Sequence, residues 1–118
     1  MKQSKLTKGG RLLFPKDIER NLRNNTEVTG CYIIHNMETD RYYVGQSSRV
    51  NHRLKQHFNG KGSPGVYKDY CAGFPFEIMI VSLNGSTFSN LDDQERTLIA
   101  AYNAYYEGYN KNRGNGGW

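Results

Sequence analysis

Gly30-Cys31-Tyr32-Ile33-Ile34 and Arg41-Tyr42-Tyr43-Val44-Gly45, separated by Asn36-Met37-Glu38-Thr39-Asp40, decide what this 118-residue chain can fold into. Both flanking runs are rich in aromatic and β-branched residues, and the stretch between them is polar and turn-forming, so the three together predict a β-hairpin. Downstream of Gln46-Ser47-Ser48 the period changes. From Arg49 to Phe58 the apolar residues Val50, Leu54 and Phe58 recur at four-residue steps, which places them on one face of a helix. Arg53 and His57, also four apart, form the adjacent stripe.

Working further outward, Asn59-Gly60-Lys61-Gly62-Ser63-Pro64-Gly65 reads as a loop, because its glycines and proline continue neither element well. Phe76 to Ser82 predicts a third strand, closed by the turn Asn84-Gly85-Ser86. Ser89 or Asn90 can then cap a helix from Leu91 to about Tyr105, with Leu98, Ala101, Tyr102 and Tyr105 on its buried face. From Glu107 to Trp118 glycine and asparagine dominate and no hydrophobic period survives, so this is a loop with basic edges. Upstream, Phe14 to Leu22 predicts a short helix with Pro15 in its first turn, ending by Asn24-Asn25. The expected fold is a small α/β layer, a three-stranded antiparallel sheet flanked by helices over 29–118, preceded over 1–28 by a basic arm carrying the short helix.

Composition narrows the function classes. The length suits one domain with one modest core. Hydrophobic residues make up 36% and charged residues 23%, with a mean hydropathy of -0.79, which is an ordinary globular balance. No apolar run approaches the roughly 18 residues that span a bilayer, and the amino terminus lacks the apolar core of a secretory signal. A cytoplasmic protein is expected. Cys31 and Cys71 belong to no CxxC pair and are expected as buried free thiols. The net charge of +5 favours an anionic partner. Seven basic residues (Lys2, Lys5, Lys8, Arg11, Lys16, Arg20, Arg23) against three acidic ones place four of those five charges before Gly30. The stretch Met1 to Gly10 is either an arm lying along a phosphate backbone or a terminus without fixed structure.

Taken in order, the motifs resemble those of the GIY-YIG nucleases. Gly30-Cys31-Tyr32 and Tyr43-Val44-Gly45 are similar to the paired signatures that name the family, with Cys31 and Val44 standing where isoleucine is usual. Arg53-Leu54-Lys55-Gln56-His57 resembles the family's helix with arginine and histidine one turn apart. Gln94-Glu95-Arg96 resembles its later helix, which bears a metal-ligand glutamate. Glu107-Gly108-Tyr109-Asn110 resembles the ending of the phage and intron homing endonucleases, so the similarity is closer to that branch than to excision repair. The large carboxy-terminal DNA-binding region of many homing enzymes has no counterpart here. Nor does the second histidine that some members carry after the helix, where Lys61 or Lys68 are the nearby cations.

The resemblance implies a metal-dependent endonuclease that hydrolyses DNA phosphodiester bonds, leaving 5′-phosphate and 3′-hydroxyl ends, with Tyr32, Tyr43, Arg53, His57, Glu95 and Asn110 as the site. Such hydrolysis needs a deprotonated water, charge neutralisation at a crowded phosphorus and stabilisation of the leaving alkoxide. A single carboxylate, Glu95, together with waters and a phosphate oxygen, suits one Mg²⁺ (or Mn²⁺). Arg53 can hold a non-bridging phosphate oxygen in a bidentate grip that lysine cannot form. His57 can share a proton with a tyrosine or bind phosphate. By resemblance Tyr32 is the candidate for activating the water and Tyr43 for positioning it or the phosphate. A phenol with a reference pKa of about 10 needs cations around it to act as a base. The Asn110 amide can hold Glu95 or fix the carboxy-terminal loop.

The candidate DNA contacts are Lys5, Lys8, Arg11, Arg49, Lys55, Lys61, Lys111 and Arg113. Cutting both strands would need two nicks or a homodimer. Three rival readings stay open: a repair or recombination nuclease whose specificity comes from a partner protein, a restriction-type nuclease, and an adaptor that kept the fold but lost catalysis.

Overall fold

The structure, a computed structural model, describes residues 11–24 and 26–114. Lys5 and Lys8, with residues 1–10 of the expected arm, lie outside the described residues.

The hairpin forms as its sequence requires. β2 (Gly30–Asn36) and β3 (Arg41–Ser47) pair antiparallel in a register that sets Tyr32 opposite Gly45 and Ile34 opposite Tyr43. The turn is tied by Asn36, whose Oδ1 accepts from the backbone N–H groups of Glu38 and Thr39, an Asx arrangement that asparagine favours. β4 (Phe76–Ser82) pairs with the other edge of β2.

The sheet has four strands rather than three. Arg11–Leu13 forms β1, which pairs antiparallel with β4 and completes the order β1-β4-β2-β3. This short strand lies in the stretch expected as an arm. Its three residues carry no period of their own, and its conformation comes from the free edge that β4 offers.

β2 is buried along its whole length. Its successive side chains feed two cores, as strand alternation requires. On one face Tyr32 and Ile34 pack with Ile78 and Ile80 against Ile18, Val50, Leu54 and Val66. These come from α1 (Ile18–Arg23), α2 (Val50–Phe58) and α3 (Pro64–Cys71). On the other face Cys31, Ile33, Val44 and Met79 pack against Leu98, Ile99 and Tyr102, the first two belonging to α4 (Leu91–Ala101).

The expected loop holds over residues 59–63, but its last two residues, Pro64 and Gly65, begin α3, a helix not expected from the sequence. Ser63 caps it by accepting from the Val66 N–H, and Pro64 occupies the first turn, where its missing donor costs nothing. α4 is capped by Asn90, which accepts from the Asp93 N–H, and it stops at Ala101, short of the expected Tyr105. Asn103 follows in the left-handed region at φ 52°, a conformation that ends a helix and that asparagine tolerates. The thiols divide: Cys31 is buried as expected, but Cys71, at the carboxy end of α3, is exposed. No helix among the described residues is long and apolar enough to cross a membrane.

Candidate active site

The site forms at the outer edge of β3, where the two faces of the sheet meet. A cavity of about 290 Å³ is lined there by Tyr43 of β3, Arg53 of α2, Glu95 of α4 and the loop residues Asn110, Lys111 and Asn112. Residues as far apart in sequence as Tyr43 and Asn112 meet here: strand, helix and loop converge because the cavity sits at the end shared by both layers.

The closing loop is sewn to the β3 edge. Tyr109 donates its backbone N–H to the Tyr42 carbonyl at 2.9 Å. Asn110 mimics a further strand with its side chain: its Oδ1 accepts from the Val44 N–H and its Nδ2 donates to the Val44 carbonyl, both at 2.8 Å. Of the two roles open to Asn110, this bonding matches the one that fixes the loop. The Tyr109 hydroxyl, which accepts from Asn36 Nδ2, donates to Asp69 of α3. The loop is thereby joined to the hairpin turn and to α3 at once.

Behind the cavity lies a buried aromatic cluster. Tyr32 and His57 are almost wholly excluded from solvent, while Tyr43 is partly exposed and faces the cavity. The His57 ring centroid lies 5.4 Å from that of Tyr32 and 4.9 Å from that of Tyr43. Tyr32 Oη and His57 Nε2 are 2.7 Å apart. On the far side of the imidazole, Nδ1 accepts from the Ser63 N–H at 2.9 Å. A backbone N–H can only donate, so the neutral ring carries its proton on Nε2 and donates it to Tyr32. Tyr32 in turn lies beside Tyr43, with ring centroids 6.2 Å apart, so the cluster runs from Ser63 through His57 and Tyr32 to the cavity-facing phenol.

Glycine is demanded at two points of this cluster. A Cβ at Gly45, opposite Tyr32, would fall 2.3 Å from the Tyr32 hydroxyl oxygen, and one at Gly62 would fall 2.2 Å from His57 Nδ1. The ring of Tyr32 thus lies across the strand position that the glycine leaves open.

Electrostatics follow burial. Desolvation, aided by Arg53, holds His57 down at about 3, so it is neutral at physiological pH. Burial first, and then the neighbouring Tyr43, pushes the Tyr32 hydroxyl far up, with Arg53 acting in the opposite direction. Tyr43 is also raised by burial, while Arg53 pulls it down, Glu95 pushes it up and the neighbouring Tyr32 pulls it down. Burial raises the Cys31 thiol to about 12, which leaves it an inert thiol of the core.

Glu95 is the sole carboxylate among the residues that line the cavity. Gln46 of β3 orients it, donating to Glu95 at 3.2 Å and to Asp92 at 2.8 Å. No group of three or more His, Cys, Asp or Glu side chains suited to a metal ion occurs among the described residues. Arg53 is steadied by Gln56 Oε1 at 2.7 Å and by the Lys61 carbonyl at 3.3 Å.

The candidate DNA contacts scatter more widely. Lys111 lines the cavity, Lys61 is exposed beside the lining residue Gly62, and Arg49 is exposed at the amino end of α2. Lys55 turns away and pairs with Glu19 at 3.3 Å. Arg11 has its Nε and Nη2 buried without hydrogen-bond partners, and Arg113 lines a second cavity. Gln46, Gly62 and Ser63 were not picked out from the sequence. Gln46 directly follows Tyr43-Val44-Gly45, but the loop glycine and serine carried no signal beyond flexibility.

No curated protein and no solved structure matches the chain. The GIY-YIG catalytic domain model matches residues 28–110, which contain the hairpin, α2, α4 and the Asn110 clamp. The chain therefore belongs to the GIY-YIG catalytic domain family, and its domain is a nuclease domain.

Proposed function

We propose that the protein is a metal-dependent DNA endonuclease in which Tyr43, Arg53, Glu95 and Lys111 work on a phosphodiester held in the β3-edge cavity. The observation that carries this reading is the convergence of one carboxylate, two cations and two tyrosines, Tyr43 and Tyr109, on a single solvent-open cavity. Arg53 and Lys111 supply positive charge for the scissile phosphate. The donor set suits one hard cation: Glu95, oriented by Gln46, provides one oxygen, and the open volume leaves room for water and phosphate oxygens as the rest. When bound at Glu95, Mg²⁺ or Mn²⁺ supplies charge neutralisation for the phosphate and offsets the upward push of Glu95 on Tyr43.

Tyr43, rather than the buried Tyr32, is the phenol placed to accept a proton from the attacking water. It lines the cavity together with Arg53, whose charge opposes the rise that burial imposes on its hydroxyl, and its ring packs against His57, which holds Tyr32. Tyr32 and His57 orient; they do not meet substrate. Asn110 keeps Lys111 in the cavity wall.

The test is incubation of the purified protein with supercoiled plasmid, in Mg²⁺ and in chelator, beside Glu95→Ala and Arg53→Ala. Cleavage is expected from the unaltered protein in Mg²⁺ alone. Binding of DNA without cleavage under any divalent metal overturns the enzyme reading, and cleavage that survives both substitutions overturns the site.

A further inference from the structure

Next to the catalytic cavity is a second one, of about 270 Å³, lined by Ile99 and Ala100 of α4, by Tyr105 and Tyr106, and by Arg96 and Arg113. The two cavities are lined by successive residues of the same segments. Glu95 lines the first and the next residue, Arg96, the second; Asn112 lines the first and Arg113 the second. Helix α4 and the carboxy-terminal loop each contribute consecutive residues to both, so the cavities are immediate neighbours.

The second cavity has an unusual composition for a solvent-facing surface. Tyr106 is 74% exposed, the highest value among the large hydrophobic side chains described. Its ring is held edge-on by Tyr105, with centroids 4.8 Å apart, and the floor beneath is aliphatic. Arg96, engaged by Asp93, and the exposed Arg113 bound the cavity. A flat aromatic wall over an apolar floor with guanidinium groups at the rim matches a planar heterocycle attached to phosphates, since bases stack on aromatic rings and arginine serves both the π face and the phosphate. The volume falls below the roughly 300–1,000 Å³ of drug-sized ligand pockets, which suits a single ring system.

We infer that this cavity is a base-binding subsite that takes one unpaired base of the strand whose phosphate occupies the catalytic cavity. The inference rests on the reading above that the substrate is a nucleic acid. It gives the domain a preference for substrates with an unstacked nucleotide beside the scissile bond, with Tyr106 as the stacking platform and Arg113 as its phosphate partner.

The test measures anisotropy of a labelled oligothymidylate in chelator, with an abasic oligonucleotide of the same length as the backbone control. Tyr106→Ala is expected to weaken binding of the thymidylate by about 5- to 150-fold, the range of one lost base stack, and to leave binding of the abasic strand unchanged. Tyr106→Trp should retain thymidylate affinity, which separates stacking from damage to the fold. Equal losses on both strands, or no loss on the thymidylate, overturn the subsite. So does absence of thymidylate binding by the unaltered protein when its plasmid cleavage is intact. Failure of plasmid cleavage with the Tyr106 effects intact overturns the nuclease reading alone.

Discussion

Ser63 donates its backbone N–H to Nδ1 of His57 at 2.9 Å, and this bond sets the direction of every hydrogen bond between His57 and the cavity. With Nδ1 occupied as an acceptor, a neutral imidazole has only Nε2–H to offer Tyr32. The Tyr32 oxygen is then engaged as an acceptor. A loop residue outside the recognised motifs thus sets the hydrogen bonding of a motif residue.

Gly62→Ala should break that arrangement. The new Cβ would fall 2.2 Å from Nδ1, and neither the ring nor the loop can yield without losing the Ser63 bond. Overpacking of this kind costs about 1–3 kcal/mol. We expect a corresponding loss of stability in urea titrations and a fall in cleavage measured where the variant is still folded. Wild-type stability and cleavage would remove the tautomer-setting role of this loop.

Tyr43→Phe and Tyr32→Phe separate the two phenols. If Tyr43 takes the proton of the attacking water, its loss should lower the cleavage rate by about 10²–10⁴-fold, the usual yield of a general base, with little change in stability because the hydroxyl faces the cavity. Tyr32→Phe leaves the buried His57 Nε2–H without its acceptor and should cost about 1–3 kcal/mol of stability. Its effect on cleavage should be the smaller. A larger rate loss in Tyr32→Phe, with stability unchanged, would return the role of base to Tyr32.

Much of the scaffold of this site was legible from spacing, while the resemblance marked the residues it carries. The hairpin, the four-residue steps of α2 and the Asn90 cap are local patterns, and each positions a motif residue: Tyr32 and Tyr43, Arg53 and His57, Glu95. What escaped is what depends on distant pairing or competing signals. β1 exists only because β4 has a free edge beside it. In α3 the start signals of Ser63 and Pro64 stand among Gly60, Gly62 and Gly65, whose weight favours a loop. The burial of Tyr32 against the exposure of Tyr43 was out of reach, because both alternate onto one sheet face and only the position of the cavity separates them.

Asn110→Ala should release the carboxy-terminal loop. Two hydrogen bonds to Val44 disappear, each worth about 0.5–1.5 kcal/mol net, and the β3 edge is left with a bare donor and acceptor. Faster hydrogen exchange at the Val44 amide is expected, together with weaker DNA binding as Lys111 loses its place. Asn110→Asp keeps the acceptor for the Val44 N–H but sets a carboxylate oxygen against the Val44 carbonyl, so it should rescue little. Unchanged Val44 protection in both variants would mean that the loop is held elsewhere, with the Tyr109 bonds as the remaining anchor.

His57 should also make the fold sensitive to mild acid. Its folded pKa is lowered from 6.5 to about 3 by burial and by Arg53. Above pH 6.5 the ring is neutral whether the chain is folded or not, so it imposes no penalty. As the pH falls below 6.5 the unfolded chain gains a proton that the folded one cannot take until about pH 3, and stability is lost across that window by up to ~1.4 kcal/mol per pH unit. At pH 5 the deficit from this one residue is about 2 kcal/mol. His57→Gln retains an acceptor for Ser63 and a donor for Tyr32 but cannot titrate. Comparing urea unfolding at pH 7.5 and pH 5, the variant should decline less than the unaltered protein by about that amount, while His35, His52 and the carboxylates contribute equally to both and cancel. Parallel declines would mean that His57 accepts its proton in the folded state, and the fixed direction of its bond to Tyr32 would have to be abandoned.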